Sequence, residues 1–336
     1  MAAHKAYGRP HARDPCGLCR TRWFQEGEQS MARRMVAAAD PGLTARMLLT
    51  MLLLGAVYLF FVSVLMAYGV DTFSLVLIVG LMLLAQVYLS DRLVMWSTGA
   101  REVSPQEAPE LHDMVARLAA LADLPKPRVA IVPSPVPNAF ATGRSPRSAV
   151  VAVTRGLLDR LNPGELEAVL AHEITHVRNR DVAVITIASF FATVAAFLTR
   201  QLLWMGMWGV PMGGRRDDRG GGAAAWAVIY LVSLLVYFVS YILIRALSRY
   251  REYAADRGAA YLTGAPSNLA SALIKISGVM ERIPAQDLRQ AEALNAFFII
   301  PAVRGSAIAE LFSTHPSLQN RLAYLRRLEL ELAGRR

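Results

Sequence analysis

Four long apolar runs constrain the fold of this chain more than any other feature. They cover residues 47–70, 73–90, 182–198 and 223–244, and the third continues as an apolar patch roughly to Trp208. An α-helix needs about 20 apolar residues to cross the hydrocarbon core of a bilayer. The composition, 54% hydrophobic and 18% charged, suits a membrane protein with a substantial soluble part. We therefore predict about four transmembrane helices, arranged as two hairpins in a lipid bilayer.

A metal-binding motif lies between the second and third runs. Residues 172–176 read His-Glu-Ile-Thr-His, and Asn162 precedes a proline and a glutamate in the pattern of a helical capping box. Residues four apart share one face of a helix, so the imidazoles of His172 and His176 can bind one metal ion. Glu173 can then act as the general base toward a metal-bound water. This pattern predicts a metallopeptidase helix.

A third ligand has to come from elsewhere in the chain. A catalytic zinc usually has three protein ligands and one open position for water. Glu252 is the best candidate, because the third and fourth apolar runs lead out through the membrane and return the chain to the same membrane face. Asp256 lies one helical turn further on and can accept the second ring N–H of a zinc-bound histidine. We expect one Zn²⁺ per chain.

Shorter patterns predict a small sheet beside the motif. The β-branched runs Arg128–Pro133 and Ala149–Thr154 predict two strands. The segment 137–143 between them is either a plain hairpin loop or an open strand edge for an extended substrate. Residues 104–124 read as an amphipathic helix whose polar face carries His112, which we predict to be solvated.

The distribution of Lys and Arg along the chain predicts how the protein is oriented in the membrane. The net charge is +10, but Lys and Arg are not gathered into one long tract, so nucleic-acid binding is not expected. The first turn, around Gly69–Thr72, contains neither residue, which predicts that both flanks and both termini are cytoplasmic. Three arginines in the loop 209–222 depart from this rule. We predict a multi-pass protein of the cell (inner) membrane.

The runs divide the chain into five predicted segments. These are a basic flexible tail (1–46), a first transmembrane hairpin (47–96), the first part of the catalytic domain (97–181), a second hairpin (182–245) and the second part of the catalytic domain (246–336). Cys16 and Cys19 in the tail are either a metal or redox pair or, as we favour, two free thiols. Two cysteines build no disulfide framework.

The motif combination resembles the HtpX family of membrane-embedded zinc metallopeptidases over about residues 47–330. The matching stretches are 138–143, the 172–176 motif with Asn179 and Asp181, 251–256, and His315-Pro316 with Arg321. The resemblance implies a mostly α membrane protein with an α+β, zincin-like cytoplasmic catalytic domain that carries a small β-sheet.

The resemblance also implies roles for individual residues. Zinc would be bound by His172, His176 and Glu252, with Glu173 as the general base. His315 and Arg321 would position or polarise the scissile carbonyl, and the ligands would be held by Asp256, Asp181 and Asn179. An extended peptide would lie along Asn138, Ala139 and Phe140. The implied task is quality control under stress, in which damaged or misfolded membrane proteins are cleaved on the cytoplasmic side.

Two alternatives stay open at this point. The first is a prenyl-protein (CAAX-type) endopeptidase with the same zinc chemistry, although that family usually has more spans. The second is a non-enzymatic membrane scaffold with a structural zinc. A structural site is normally closed by four protein ligands, and Glu173 would be unnecessary in it.

Overall fold

Helices make up most of the structure, and one small sheet accompanies them. The computed structural model describes residues 40–67, 72–207, 221–280 and 315–334, all within the unit Asp40–Arg336. The helices are α1 Pro41–Ala67, α2 Thr72–Thr98, α3 Pro109–Leu121, α4 Arg155–Leu158, α5 Pro163–Arg178, α6 Asp181–Met207, α7 Gly221–Thr263, α8 Pro266–Met280 and α9 Leu318–Ala333. The strands are β1 Arg101–Glu102, β2 Arg128–Val132, β3 Ala139–Thr142 and β4 Val150–Thr154. The predictions for Cys16, Cys19 and the rest of residues 1–39 lie outside the described residues.

Among the residues that the structure describes, three helices are long and apolar enough to cross a membrane. The qualifying stretches are Pro41–Ala67, Asp181–Arg200 and Ala227–Thr263, in α1, α6 and α7. Large apolar side chains are exposed along α1, for example Leu52 and Leu59 at 68% and 72%, as expected of a surface that faces lipid. The second apolar run lies in α2, a helix of 27 residues, and its passage through the bilayer stays a prediction.

One continuous helix contains the fourth apolar run and the residues that follow it, including Glu252. We expected a membrane span that ends at Arg245 and a separate helical segment after it, but both belong to α7, which has 43 residues. No Gly or Pro occurs between Ala223 and Gly258, so nothing in the sequence interrupts the backbone hydrogen bonds. At 1.5 Å per residue α7 is about 65 Å long, about twice the hydrocarbon thickness of a bilayer.

The sheet has four strands in the order β1-β2-β4-β3. β2 and β4 pair in parallel, and both predicted strands are present. β3 pairs antiparallel with β4, with Ala139 opposite Val153 and Thr142 opposite Val150. The segment between the two predicted strands is thus a strand at the end of the sheet, with one side of its backbone outside the ladder.

The prediction for His112 was wrong. Its side chain is buried, with Nε2 2.9 Å from the carbonyl oxygen of Val103. The helix begins at Pro109 because a turn precedes it, in which Ser104 and Glu107 exchange hydrogen bonds. α3 packs against β2 and α5, so the histidine lies against the chain that leaves β1.

Two local features place α5. At its start, the Asn162 side chain accepts a hydrogen bond from the Glu165 backbone, and the Glu165 carboxylate accepts one from the Asn162 backbone, which is the predicted capping box. Along its length α5 approaches α7 closely at Gly258. A Cβ on that glycine would lie 2.3 Å from Cγ2 of Thr175. Only a residue without a side chain allows the two helices this separation.

Candidate metal centre

The middle of α5 presents two imidazoles to one point. Nε2 of His172 and Nε2 of His176 are 3.1 Å apart. His172 is 2% exposed and His176 is half-buried. The four-residue spacing and the helical geometry together account for this convergence.

Glu252 on α7 completes a group of three. Its Oε2 is 3.6 Å from Nε2 of His172, and its Oε1 is 3.4 Å from Nε2 of His176. The carboxylate is buried, and it arrives at this position because α7 packs along α5. Within the described ranges, these three residues form the group of His, Cys, Asp or Glu side chains arranged to hold a metal ion.

The spacing of the three donors suits a tetrahedral ion. Bonds of ~2.0–2.1 Å to imidazole nitrogen and carboxylate oxygen place the ligand atoms of a tetrahedron about 3.3 Å apart. The two ring nitrogens are 3.1 Å apart, and they lie 3.6 and 3.4 Å from Oε2 and Oε1 of Glu252, respectively. One ligand atom from each of the three residues lies within 4.8 Å of the other two. Three ligands leave one position of the tetrahedron for water or substrate, which is the arrangement of catalytic sites.

A buried carboxylate and an arginine lie behind His172. Nδ1 of this histidine is 3.0 Å from Oδ1 of Asp256. Asp256 in turn accepts hydrogen bonds from Nε and Nη2 of Arg321, at 2.9 and 2.5 Å. Burial lowers the pKa of His172, but the interactions with Asp256 and Glu252 outweigh it, so the net shift is upward.

His176 has a similar arrangement behind it. Its Nδ1 donates a hydrogen bond to Oδ2 of Asp181 at 2.5 Å, and the Arg251 guanidinium forms an ion pair with Oδ1 of Asp181. No role was predicted for Arg251, because no spacing rule in the sequence pairs it with Asp181. Asn179 caps the C-terminus of α5, and its side chain is exposed.

Glu173 is buried beside the three donors. Burial raises the pKa of this carboxyl, and the neighbouring Glu252 adds to the rise. The two imidazoles and a hydrogen bond from the backbone of Ala141, on β3, act in the opposite direction, and the net shift is upward. The general-base candidate is therefore in contact with the end strand of the sheet.

His315 and Arg321 lie on the other side of Glu252. Nδ1 of His315 is 3.1 Å from Oε2 of Glu252, and Nη1 of Arg321 is 3.4 Å from the same oxygen. Both side chains are buried. Arg321 lies on α9 and His315 immediately before it, so three separate parts of the chain meet at this carboxylate.

The predicted substrate segment lies along the edge of the sheet. Asn138, Ala139 and Phe140 are buried, and the backbone of Asn138 is hydrogen-bonded to Thr154 through both its N–H and its C=O. β3 continues from there past Ala141, whose backbone contacts Glu173. The unpaired side of the strand thus runs beside the metal ligands.

The chain is similar to known proteins in both sequence and fold. Residues 105–329 match the model of peptidase family M48. A "Protease HtpX homolog" from Moorella thermoacetica is 64% identical over 90% of this chain and all of its own length. A "Protease HtpX homolog 2" from Methanosarcina mazei is 58% identical over 88% of this chain and 98% of its own. The crystal structure of Ste24p from S. mikatae has a TM-score of 0.51 at 18% identity, over 85% of this chain and 67% of that one.

The family match and the similar proteins indicate the class of enzyme to which the chain belongs. A family model that covers two thirds of the chain and relatives aligned over their whole length leave the scaffold alternative without support. The apolar helices agree with an enzyme that is bound to the membrane. The chain belongs to peptidase family M48 and, within it, to the HtpX-like membrane metalloproteases.

Proposed function

We propose that this protein is a zinc-dependent endopeptidase that cleaves damaged or misfolded membrane proteins at the cytoplasmic face of the inner membrane. The observation that carries the proposal is the convergence of His172, His176 and Glu252 beside the buried Glu173. Bound zinc would polarise the scissile carbonyl and lower the pKa of a bound water toward ~7.

The protein side chains would each have one task in this reaction. Glu173 would take a proton from the attacking water and pass it to the leaving amine. Its buried position favours this role, because a carboxyl with a raised pKa holds a proton more readily after the transfer. His315 would donate to the developing oxyanion. Arg321 is paired with Asp256 and close to Glu252, so it would keep both carboxylates ionised and in place.

The substrate would bind as an added strand. β3 is the last strand of the sheet, so its free side offers backbone donors and acceptors to an extended peptide. The contact between Ala141 and Glu173 would bring the scissile bond to the general base. This mode requires an unfolded or extended segment, which suits substrates that have lost their native structure.

The membrane part supports the choice of substrate class. Predicted spans lie on both sides of the motif, and α7 leads from the apolar region directly to Glu252. A site held next to the bilayer would meet the cytoplasmic segments of misassembled membrane proteins. We keep the five-segment organisation and the fourth span in α2 as parts of this proposal. The CAAX-type alternative is less favoured, because the relatives aligned over their whole length carry the HtpX name.

The test is a pair of glutamate variants of the full chain, purified in detergent with zinc. Glu173→Gln should lower cleavage of unfolded casein by about 10²–10⁴-fold, while zinc content stays at one per chain. Glu167→Gln is the matched control, because Glu167 lies on the same helix and pairs with Arg117 away from the ligands. Zinc lost from Glu252→Ala would support the third ligand.

Two results would contradict the proposal. Unchanged cleavage by Glu173→Gln would remove the general-base role. Undiminished zinc in Glu252→Ala would mean that another group supplies the third ligand.

A further inference from the structure

Each imidazole of the metal group is backed by a carboxylate and an arginine. His172 contacts Asp256, which is paired with Arg321. His176 contacts Asp181, which is paired with Arg251. The two acids and the two arginines are buried, with exposures of 0%, 2%, 7% and 2% for Asp256, Arg321, Asp181 and Arg251. The two arrangements share their chemistry but come from different elements.

The arrangement behind His176 joins three helices. His176 is in the last turn of α5, Asp181 is the first residue of α6, and Arg251 is on α7. Arg180, in the tight turn between α5 and α6, has a positive φ of 55°, which directs the chain so that Asp181 returns toward His176. Arg251 then holds the carboxylate from the opposite helix, directly beside Glu252.

Asp181 depends on this arginine. A buried carboxylate without a partner cation is strongly destabilising, so the loss of one member leaves an uncompensated charge. Asp181 would then turn toward other donors or toward water, and the hydrogen bond that orients the His176 ring would weaken. Carboxylates behind metal-bound imidazoles fix the ring orientation in this way.

We propose that Arg251 is a positioning residue of the metal centre, which holds Asp181 in the orientation that directs Nε2 of His176 toward the other two donors. The inference rests on the proposed metal site. It also makes the ion pair between the start of α6 and the soluble end of α7 a condition for tight metal binding.

The test compares arginine variants by zinc affinity, measured as the free zinc level at which a competing chelator removes half of the metal. Arg251→Met should weaken zinc binding by about 10- to 100-fold. Arg251→Lys should recover part of this loss, because lysine keeps the charge but lacks the planar guanidinium. Arg257→Met is the matched control. Arg257 is a buried arginine on the same helix whose guanidinium pairs with Glu331, and its loss should change zinc affinity less than twofold.

A double variant tests whether Arg251 acts through Asp181. Arg251→Met should weaken zinc binding no further when Asp181 is already replaced by asparagine. Additive losses would overturn the proposal, as would wild-type zinc affinity in Arg251→Met.

Thermal unfolding of the metal-free proteins separates positioning from a general structural role. If Arg251→Met and Arg257→Met unfold at similar temperatures, the weaker zinc binding of Arg251→Met comes from a local change at the metal centre and not from a general loss of stability. A much lower midpoint for Arg251→Met, with no recovery of affinity in Arg251→Lys, would assign a structural role and contradict the inference. A wild-type protein that holds no zinc would instead refute the proposed metal site itself.

Discussion

At the residue scale, buried carboxylates organise the structure, and each is held by several donors. Glu165 is the example outside the metal centre. Besides capping α5, it accepts hydrogen bonds from Ser271 and Lys275 on α8, at 2.6 and 2.8 Å. One side chain thus fixes both the start of the metal-binding helix and its contact with α8.

Glu165 should make the stability depend on pH in the acid range. Burial raises the pKa of this carboxyl, but the hydrogen bonds from Lys275 and Ser271 outweigh it, so the net shift is downward. A carboxyl with a lower pKa in the folded state stabilises the protein above its unfolded pKa, near ~4.3. That stabilisation is lost as the pH falls through the folded pKa.

We expect Glu165→Gln to lower the free energy of unfolding at neutral pH by about 1–3 kcal/mol. The variant should also lose less stability than wild type between roughly pH 5 and roughly pH 3, the range in which carboxyl groups titrate. Thermal unfolding across this range measures the effect. Glu167→Gln, on the exposed face of α5, should keep the wild-type slope. A Glu165→Gln variant with the wild-type slope would show that this carboxyl is not the group concerned.

Which side chains come together was easier to predict from the sequence than what surrounds them. The 172–176 motif has a fixed spacing on a capped helix, so the positions of its imidazoles follow from helix geometry. His112 was misplaced because the chain that leaves β1 covers that side of its helix, with the carbonyl oxygen of Val103 2.9 Å from Nε2, and helical spacing alone does not reveal this contact. Arg251 was missed because a lone arginine beside a ligand has no spacing rule, and only the fold brings Asp181 to it.

At the element scale, the packing of α5 on α7 brings the three candidate metal ligands together. His172 and His176 lie on α5 and Glu252 lies on α7, so their separation depends on how closely the two helices approach. Gly258 and Thr175 mark one close approach between them, where an added Cβ would lie 2.3 Å from Cγ2 of Thr175. The sequence shows this glycine inside a helical pattern, but nothing in the pattern indicates its partner.

Gly258→Ala should therefore push the two helices apart. The new methyl group would overlap the Thr175 side chain, which costs about 1–3 kcal/mol, and zinc affinity should fall with it. Gly278→Ala is the matched control, because a Cβ there meets nothing within 4 Å, and a helical Gly→Ala change is neutral or stabilising. The second substitution Thr175→Ala should restore zinc binding in the Gly258→Ala chain. Failure to restore it would mean that the contact does not set the helix separation.

At the scale of the whole molecule, long apolar helices lie before and after the segment that carries the sheet and α5. Hydropathy predicted the membrane helices from composition alone, because lipid requires continuous apolar surface. Composition does not indicate that α7 continues without a break into the soluble part. It also left open whether the segment 137–143 was a loop or a strand, because four residues of β3 carry too little pattern to decide.

The proposed orientation can be tested by cysteine labelling in intact cells. In a background with Cys16 and Cys19 replaced by serine, a membrane-impermeant maleimide should label Gly69→Cys in the predicted external turn. It should label Ser145→Cys, in the exposed loop between β3 and β4, only after permeabilisation. Labelling of Ser145→Cys in intact cells would place the site on the opposite face.

Because α7 is unbroken, the rotation of one helix about its axis determines where the carboxylate of Glu252, the candidate third ligand, points. One alanine inserted after Leu247 would turn Glu252 by about 100° and advance it by about 1.5 Å relative to the lipid-packed half. Such a chain should insert into membranes normally, yet retain no zinc. The same insertion after Gly222 precedes the whole apolar stretch and should leave zinc bound. The number of residues between the apolar stretch of α7 and Glu252 would thus determine whether the enzyme can hydrolyse a peptide bond.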